Sequence, residues 1–140
     1  MDGRALVEFR VRPRYGTPPD SLALASDLRR AVSGDVSVTQ RLRGRALAAR
    51  PGGAAHAAPR VVWHREAATD AVILELRAAD APGLLYRVTS ALDEVGAHVR
   101  AARISTLGTD VVDAFYLVGA WADDAERDKV EAAVLGAAAT

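Results

Sequence analysis

Residues 72–119 read VILELRAADAPGLLYRVTSALDEVGAHVRAARISTLGTDVVDAFYLVG, and the hydrophobic period changes twice along them. Across 70–78, "DAVILELRA" alternates, with Val72, Leu74 and Leu76 on one face, which predicts a strand. Beyond "DAPG" the apolar residues fall at steps of three and four: Leu85, Val88, Leu92 and Val95, with Ala91 filling the gap. That is a helix, and Gly96 closes it. "HVRAARISTL" (98–107) is a second strand, "GTD" a tight turn, and "VVDAFYLVGA" (111–120) a third strand completing a hairpin.

Toward the C-terminus, Asp123 or Asp124 caps a last helix whose Val130, Ala133, Val134 and Ala137 share a face. The resulting order is strand, helix, strand, strand, helix. It is the α+β, ferredoxin-like βαββα(β) plan, lacking only its closing strand.

Toward the N-terminus, "RVVWHR" (60–65) reads as a short strand and "RPGGAAHAAP" (50–59) as a linker. Residues 36–49 begin like a strand, yet Leu42, Ala46 and Ala49 keep a helical stripe, so a short helix is expected. The six arginines from Arg41 to Arg65 lack an interleaved aromatic ladder and fit a solvated connector. Residues 5–12, "ALVEFRVR", alternate as a strand, and "PRYGTPPD" supplies turn chemistry and an N-cap in Asp20. Leu24, Leu28 and Val32 then mark a helix ended by Gly34. This strand and helix repeat the order of the last strand and helix of the chain. Residues 1–34 thus read as the C-terminal part of a first repeat, 35–69 as an Arg/Ala-rich connector, and 70–140 as the main domain. A strand from 36–42 or 60–65 is expected to close one of the sheets.

Composition narrows the function. The 140 residues carry no cysteine and a formal net charge of zero. Disulfide and thiolate chemistry are excluded, and nothing in the charge balance draws the chain to nucleic acid or membrane. The sequence "MDGRALVEFR" lacks the apolar centre of a signal peptide, and no stretch approaches the roughly 20 apolar residues of a membrane span. A cytoplasmic protein is expected.

The chemistry-bearing stretch is "DAPGLL" (80–85). A helix N-terminus offers unpaired N–H groups and a partial positive charge. Pro82 suits a first turn, where its missing N–H is no loss. Gly83 leaves room for a ligand carboxylate against the N–H groups of Gly83, Leu84 and Leu85, while Asp80 is placed to accept from an ammonium group. A purely structural alternative has Asp80 capping the helix and Gly83 relieving crowding against the sheet. Ala81 completes the loop. Metal ligation is not expected: the three histidines, His56, His64 and His98, have no ligand spacing, and Asp110 and Asp113 flank two valines at the start of a strand. RNA binding is not expected either. Phe115 and Tyr116 are neighbours and point to opposite faces, and the RNA-recognition signature is absent.

Asp80, Pro82, Gly83, Leu84 and Leu85, followed by "ARISTLG" with Arg103 and Thr106 and by "VVDAFY" with Asp113, Phe115 and Tyr116, resemble an ACT domain, a small-molecule regulatory module of amino-acid metabolism. More closely, the stretch resembles the last ACT domain of the enzyme family that uridylylates and deuridylylates the nitrogen-signalling protein PII. Residues 5–34 resemble the tail of a preceding ACT domain more loosely. The resemblance implies an amino-acid effector, glutamine in that family, and PII as a partner through the full-length enzyme. ACT ligands commonly lie between domains, so the resemblance adds His98, Arg100 and Ala102 on the second strand as weaker contacts. The Gly-Ser and paired-aspartate motif that holds magnesium in the family's catalytic part is missing, as is the adjacent His-Asp pair of the uridylyl-removing part. The chain is thus expected to carry no catalytic residues or cofactor, and to form a homodimer or dock onto other ACT or catalytic domains. The alternatives are a pairing module or a stand-alone sensor of another amino acid.

Overall fold

The computed structural model describes residues 6, 8, 16–48, 57–65, 71–119, 121 and 123–139. The chain separates into two compact units, 1–40 and 41–140. In the first, α1 (Ser21–Val32) starts where Asp20 accepts from the backbone N–H groups of Leu22 and Ala23 at 3.0 and 3.1 Å. Gly34, at φ +81°, ends it. The leucine stripe expected for this helix is present but uncovered, with Leu24, Leu28 and Val32 exposed. The strand expected over 5–12 lies outside the described residues, apart from Leu6 and Glu8. The helix expected within 36–49 forms as α2 (Val38–Ala48).

The second unit is built on a four-stranded antiparallel sheet in the order β1-β2-β4-β3. Its strands are β1 (Arg60–Arg65), β2 (Ala71–Ala79), β3 (His98–Leu107) and β4 (Asp110–Val118), with α3 (Leu84–Glu94) after β2 and α4 (Asp124–Ala138) after β4. This is the ferredoxin-like α+β fold expected from the sequence. The closing strand comes from 60–65, ahead of the domain rather than behind it. β1 pairs with β2 so that Val61 faces Leu76 and Trp63 faces Leu74.

Alternation decides where the core sits. Leu74, Leu76 and Ala78 on β2, and Val111, Phe115 and Leu117 on β4, point to one face and are buried. Leu84, Val88 and Leu92 of α3 and Val130 and Val134 of α4 cover that face. Removing a leucine- or phenylalanine-sized side chain from water is worth about 1.5–3 kcal/mol, so this layer contact carries the domain. Trp63 anchors β1 to the same layer, its Nε1 donating to Glu131 of α4 at 2.9 Å. α4 begins at Asp123, whose carboxylate accepts from the Ala125 N–H.

Two local details depart from expectation. Helix α3 starts at Leu84 with Gly83 as its N-cap, so Asp80 does not cap it and Pro82 stands in the turn before it. The reason is the tight turn closed by Leu84 N–H on Ala81 O at 3.0 Å, which drives residue 83 to φ +79°, a conformation natural only to glycine. Along β3, the pairing steps from Val99 opposite Leu117 to Ala101 opposite Tyr116, an irregularity that leaves Arg100 as the extra residue.

Candidate functional site

An open cleft of about 520 Å³ lies where the start of α3 meets strands β3 and β4. Asp80, Ala81, Gly83, Leu84 and Leu85 form one wall, Ile104 and Thr106 of β3 the opposite one, and Val111 and Asp113 of β4 part of the lining. Leu42 of α2 also lines it, 3.5 Å from the point where a Cβ on Gly83 would stand. The structure therefore gathers five of the residues singled out in the sequence. Pro82, His98 and Arg100 do not line the cleft; β3 contributes Ile104 and Thr106 instead.

The loop that carries this wall is held at both ends. The Asp80 N–H donates to Thr109 O at 2.8 Å, fixing the loop to the β3–β4 turn. Arg87 donates from Nη1 to Pro82 O at 3.1 Å and from Nε to Ala137 O at 2.9 Å, bracing the loop against the end of α4. The turn at 81–84 also changes which N–H groups are available. Leu84 is engaged with Ala81 O, whereas the N–H groups of Gly83 and Leu85 have no acceptor among the described residues. Two donors, rather than the three expected, remain at the positive end of the helix.

Asp113, named in the sequence as part of the ACT resemblance and set aside as a metal ligand, was not among the residues expected to bind the effector. It stands between Leu76 on β2 and Ile104 on β3 in the pairing register, and it is 2% exposed, the buried charged residue of an otherwise apolar face. Its Oδ1 accepts from the Ser105 N–H at 3.3 Å; Oδ2 has no donor among the described residues. Burial pushes its carboxyl pKa up, the Ser105 hydrogen bond opposes this, and the charge of Asp80 adds to the rise. The period-2 pattern contained the signal: Asp113 is in phase with Val111 and Phe115, so an acidic residue was bound to land among core positions. Among the described residues no three His, Cys, Asp or Glu side chains cluster as metal ligands.

Comparison with known proteins gives the context. Over 113 residues, 80% of its length, the chain is 42% identical to the bifunctional uridylyltransferase/uridylyl-removing enzyme of Streptomyces coelicolor. The chain is homologous to part of that enzyme family. The Mycobacterium tuberculosis and Rhodospirillum rubrum enzymes of the same name are each 34% identical over 81% and 83% of the chain. The chain spans only 14%, 16% and 13% of the length of these three relatives, so the homology concerns a small segment of each enzyme. No family model matches the chain, and no solved structure matches it significantly. Among the described residues no helix is long and apolar enough to cross a membrane.

Proposed function

We propose that this chain is an amino-acid-sensing regulatory region of the ACT type, working within a uridylyltransferase/uridylyl-removing enzyme and binding glutamine in the cleft beside α3. The observation that carries the reading is the presence of opposite chemistries side by side on one wall of the cleft. The Gly83 and Leu85 N–H groups, without an acceptor among the described residues, suit a carboxylate, and the acidic side of Asp80 suits an ammonium group. Homology to a small segment of those enzymes supports a regulatory rather than a catalytic contribution. Glutamine follows from the family resemblance, in which that amino acid reports nitrogen status. PII is a partner through the full-length enzyme.

Thermal unfolding of the chain with L-glutamine, D-glutamine and a panel of other amino acids tests the reading. A ligand at about a hundred times its Kd adds about 2.7 kcal/mol, a shift of several degrees for a domain of this size. A shift with L-glutamine alone supports the full proposal, and a shift with another amino acid moves the sensor to a different signal. No shift with any amino acid rejects it.

A second reading, a module for pairing, is favoured by the edge strand β3. Val99, Ile104 and Leu107 are exposed on it, and the far side of the strand has no partner among the described residues. Gel filtration with and without glutamine separates pairing alone from ligand-linked pairing.

A further inference from the structure

We infer that Asp113 is the residue that selects a zwitterionic α-amino acid in this cleft, its free Oδ2 accepting the ligand ammonium while the carboxylate lies on the Gly83 and Leu85 N–H groups. This rests on the reading of the cleft as an amino-acid site and assigns its selectivity to a residue outside the α3 loop.

The argument starts from the cost of burial. A carboxylate that is 2% exposed and holds one hydrogen bond, at 3.3 Å, is poorly compensated, because buried charge is tolerated where it is paired and fully hydrogen-bonded. Among the described residues that line the cleft with Asp113 there is no cationic side chain. Leu76 and Ile104 flank it in the sheet, and α3 contributes Leu84, Leu85, Tyr86 and Thr89 to the cleft. The Thr89 hydroxyl is already committed to Leu85 O and Tyr86 O. Arg87, the cation on the same helix, is turned to the carbonyls of Pro82 and Ala137. The titratable groups that share the cleft with Asp113 are Asp80 and Tyr86, and Asp80 adds a second negative charge. One ammonium group answers both carboxylates. A neutral or anionic ligand leaves Asp113 uncompensated, and a metal ion finds no third acidic or imidazole ligand among the described residues.

Discrimination then follows chemistry rather than shape. A site built to hydrogen-bond a ligand's donor rejects an analogue that lacks that donor far more strongly than one that lacks a methylene.

Titration calorimetry on the 140-residue chain tests this, with L-glutamine as probe, or whichever amino acid gives the largest melting shift. Asp113→Asn keeps the shape and an acceptor for the Ser105 N–H; it is expected to weaken binding about 10- to 100-fold, the range for losing a hydrogen bond to a charged group. The same amino acid lacking its amino group is expected not to bind the unsubstituted chain, which tests the inference without any substitution. Binding to Asp113→Asn within twofold, equal binding of the deaminated analogue, or equally tight binding of a simple diamine such as putrescine would each overturn the assignment and leave the amino-acid site standing. If the unsubstituted chain binds no amino acid, the site itself is rejected and the assignment with it.

Discussion

Trp63 and Glu131, 68 positions apart in sequence, are joined by a 2.9 Å hydrogen bond from the indole Nε1 to the carboxylate. This bond fastens the early strand β1 to the last helix. The guanidinium of Arg127 lies 5.9 Å from the Trp63 ring centroid, and its Nε donates to Trp121 O at 2.7 Å, so one arginine braces both tryptophans. Trp63→Phe keeps the apolar ring and removes the donor, leaving Glu131 without its partner. It is expected to cost about 1–2 kcal/mol, while Glu131→Gln, which retains an acceptor, costs less. Urea unfolding of the two variants measures the difference, and equal losses would show that the bond contributes nothing specific.

Gly83→Ala tests the turn before α3. The added Cβ meets Leu42 at 3.5 Å, an ordinary contact, so the penalty comes from the backbone at φ +79°. A loss of about 1–2 kcal/mol is expected. Gly83→Asn is expected to lose less, since asparagine tolerates the left-handed region better. If alanine were neutral in thermal unfolding, the turn would have to rearrange without strain.

Asp113 sets one slope of stability against pH. Its folded pKa is raised, chiefly by burial, so the folded state holds this proton more tightly than the unfolded chain does. Stability is therefore expected to fall as pH rises from the ordinary carboxylate value through the raised one, and to stay lower above it. Asp113→Asn removes this cost and is expected to stabilise the ligand-free protein at neutral pH, with a gain that vanishes on acidification. Chemical denaturation at several pH values checks the sign. A variant less stable at neutral pH would mean that the charged form is favourably paired.

Glu75 sets the opposite slope. Its pKa is lowered, first by the hydrogen bond from Arg77 at 2.6 Å; burial, the next largest effect, opposes this, and the charges of Arg77 and His64 add smaller lowering effects. That contribution is present above the unfolded pKa and is lost as pH falls through the folded one. Both partners are nearly half exposed, so Glu75→Gln is expected to cost under about 1 kcal/mol at neutral pH and nothing in strong acid. The same denaturation series reads it, and a loss independent of pH would point to packing instead.

Much of this was legible in the sequence because it rests on local chemistry. Asp20, Gly34, Gly96 and Asp123 mark helix ends by residue type alone, and the strand over 98–107 has the extent that its alternation predicted. What escaped depends on partners distant in sequence or on turn geometry. Nothing within "DAPGLL" reveals that Leu84 N–H closes on Ala81 O, and with it that Gly83 rather than Asp80 stands at the cap. The step after Val99 puts His98 opposite Val118 and Ala102 opposite Phe115. Residues that simple alternation places on one face therefore fall on two. Leu42 joins the cleft through tertiary packing, for which its helical stripe gave no sign. Asp113 was legible as a core position, but its meaning came only with the cleft it lines.

The early position of β1 has a kinetic consequence. Leu74 pairs on one side with Trp63, eleven residues back, and on the other with Phe115, forty-one residues ahead. Closing the shorter loop costs about 1 kcal/mol less chain entropy than closing the longer one. β1–β2 and β3–β4 can thus each form as a neighbouring pair, leaving the β2–β4 seam as the slow, topology-determining step. Substitutions along that seam, at Leu74 or Phe115, should then slow folding.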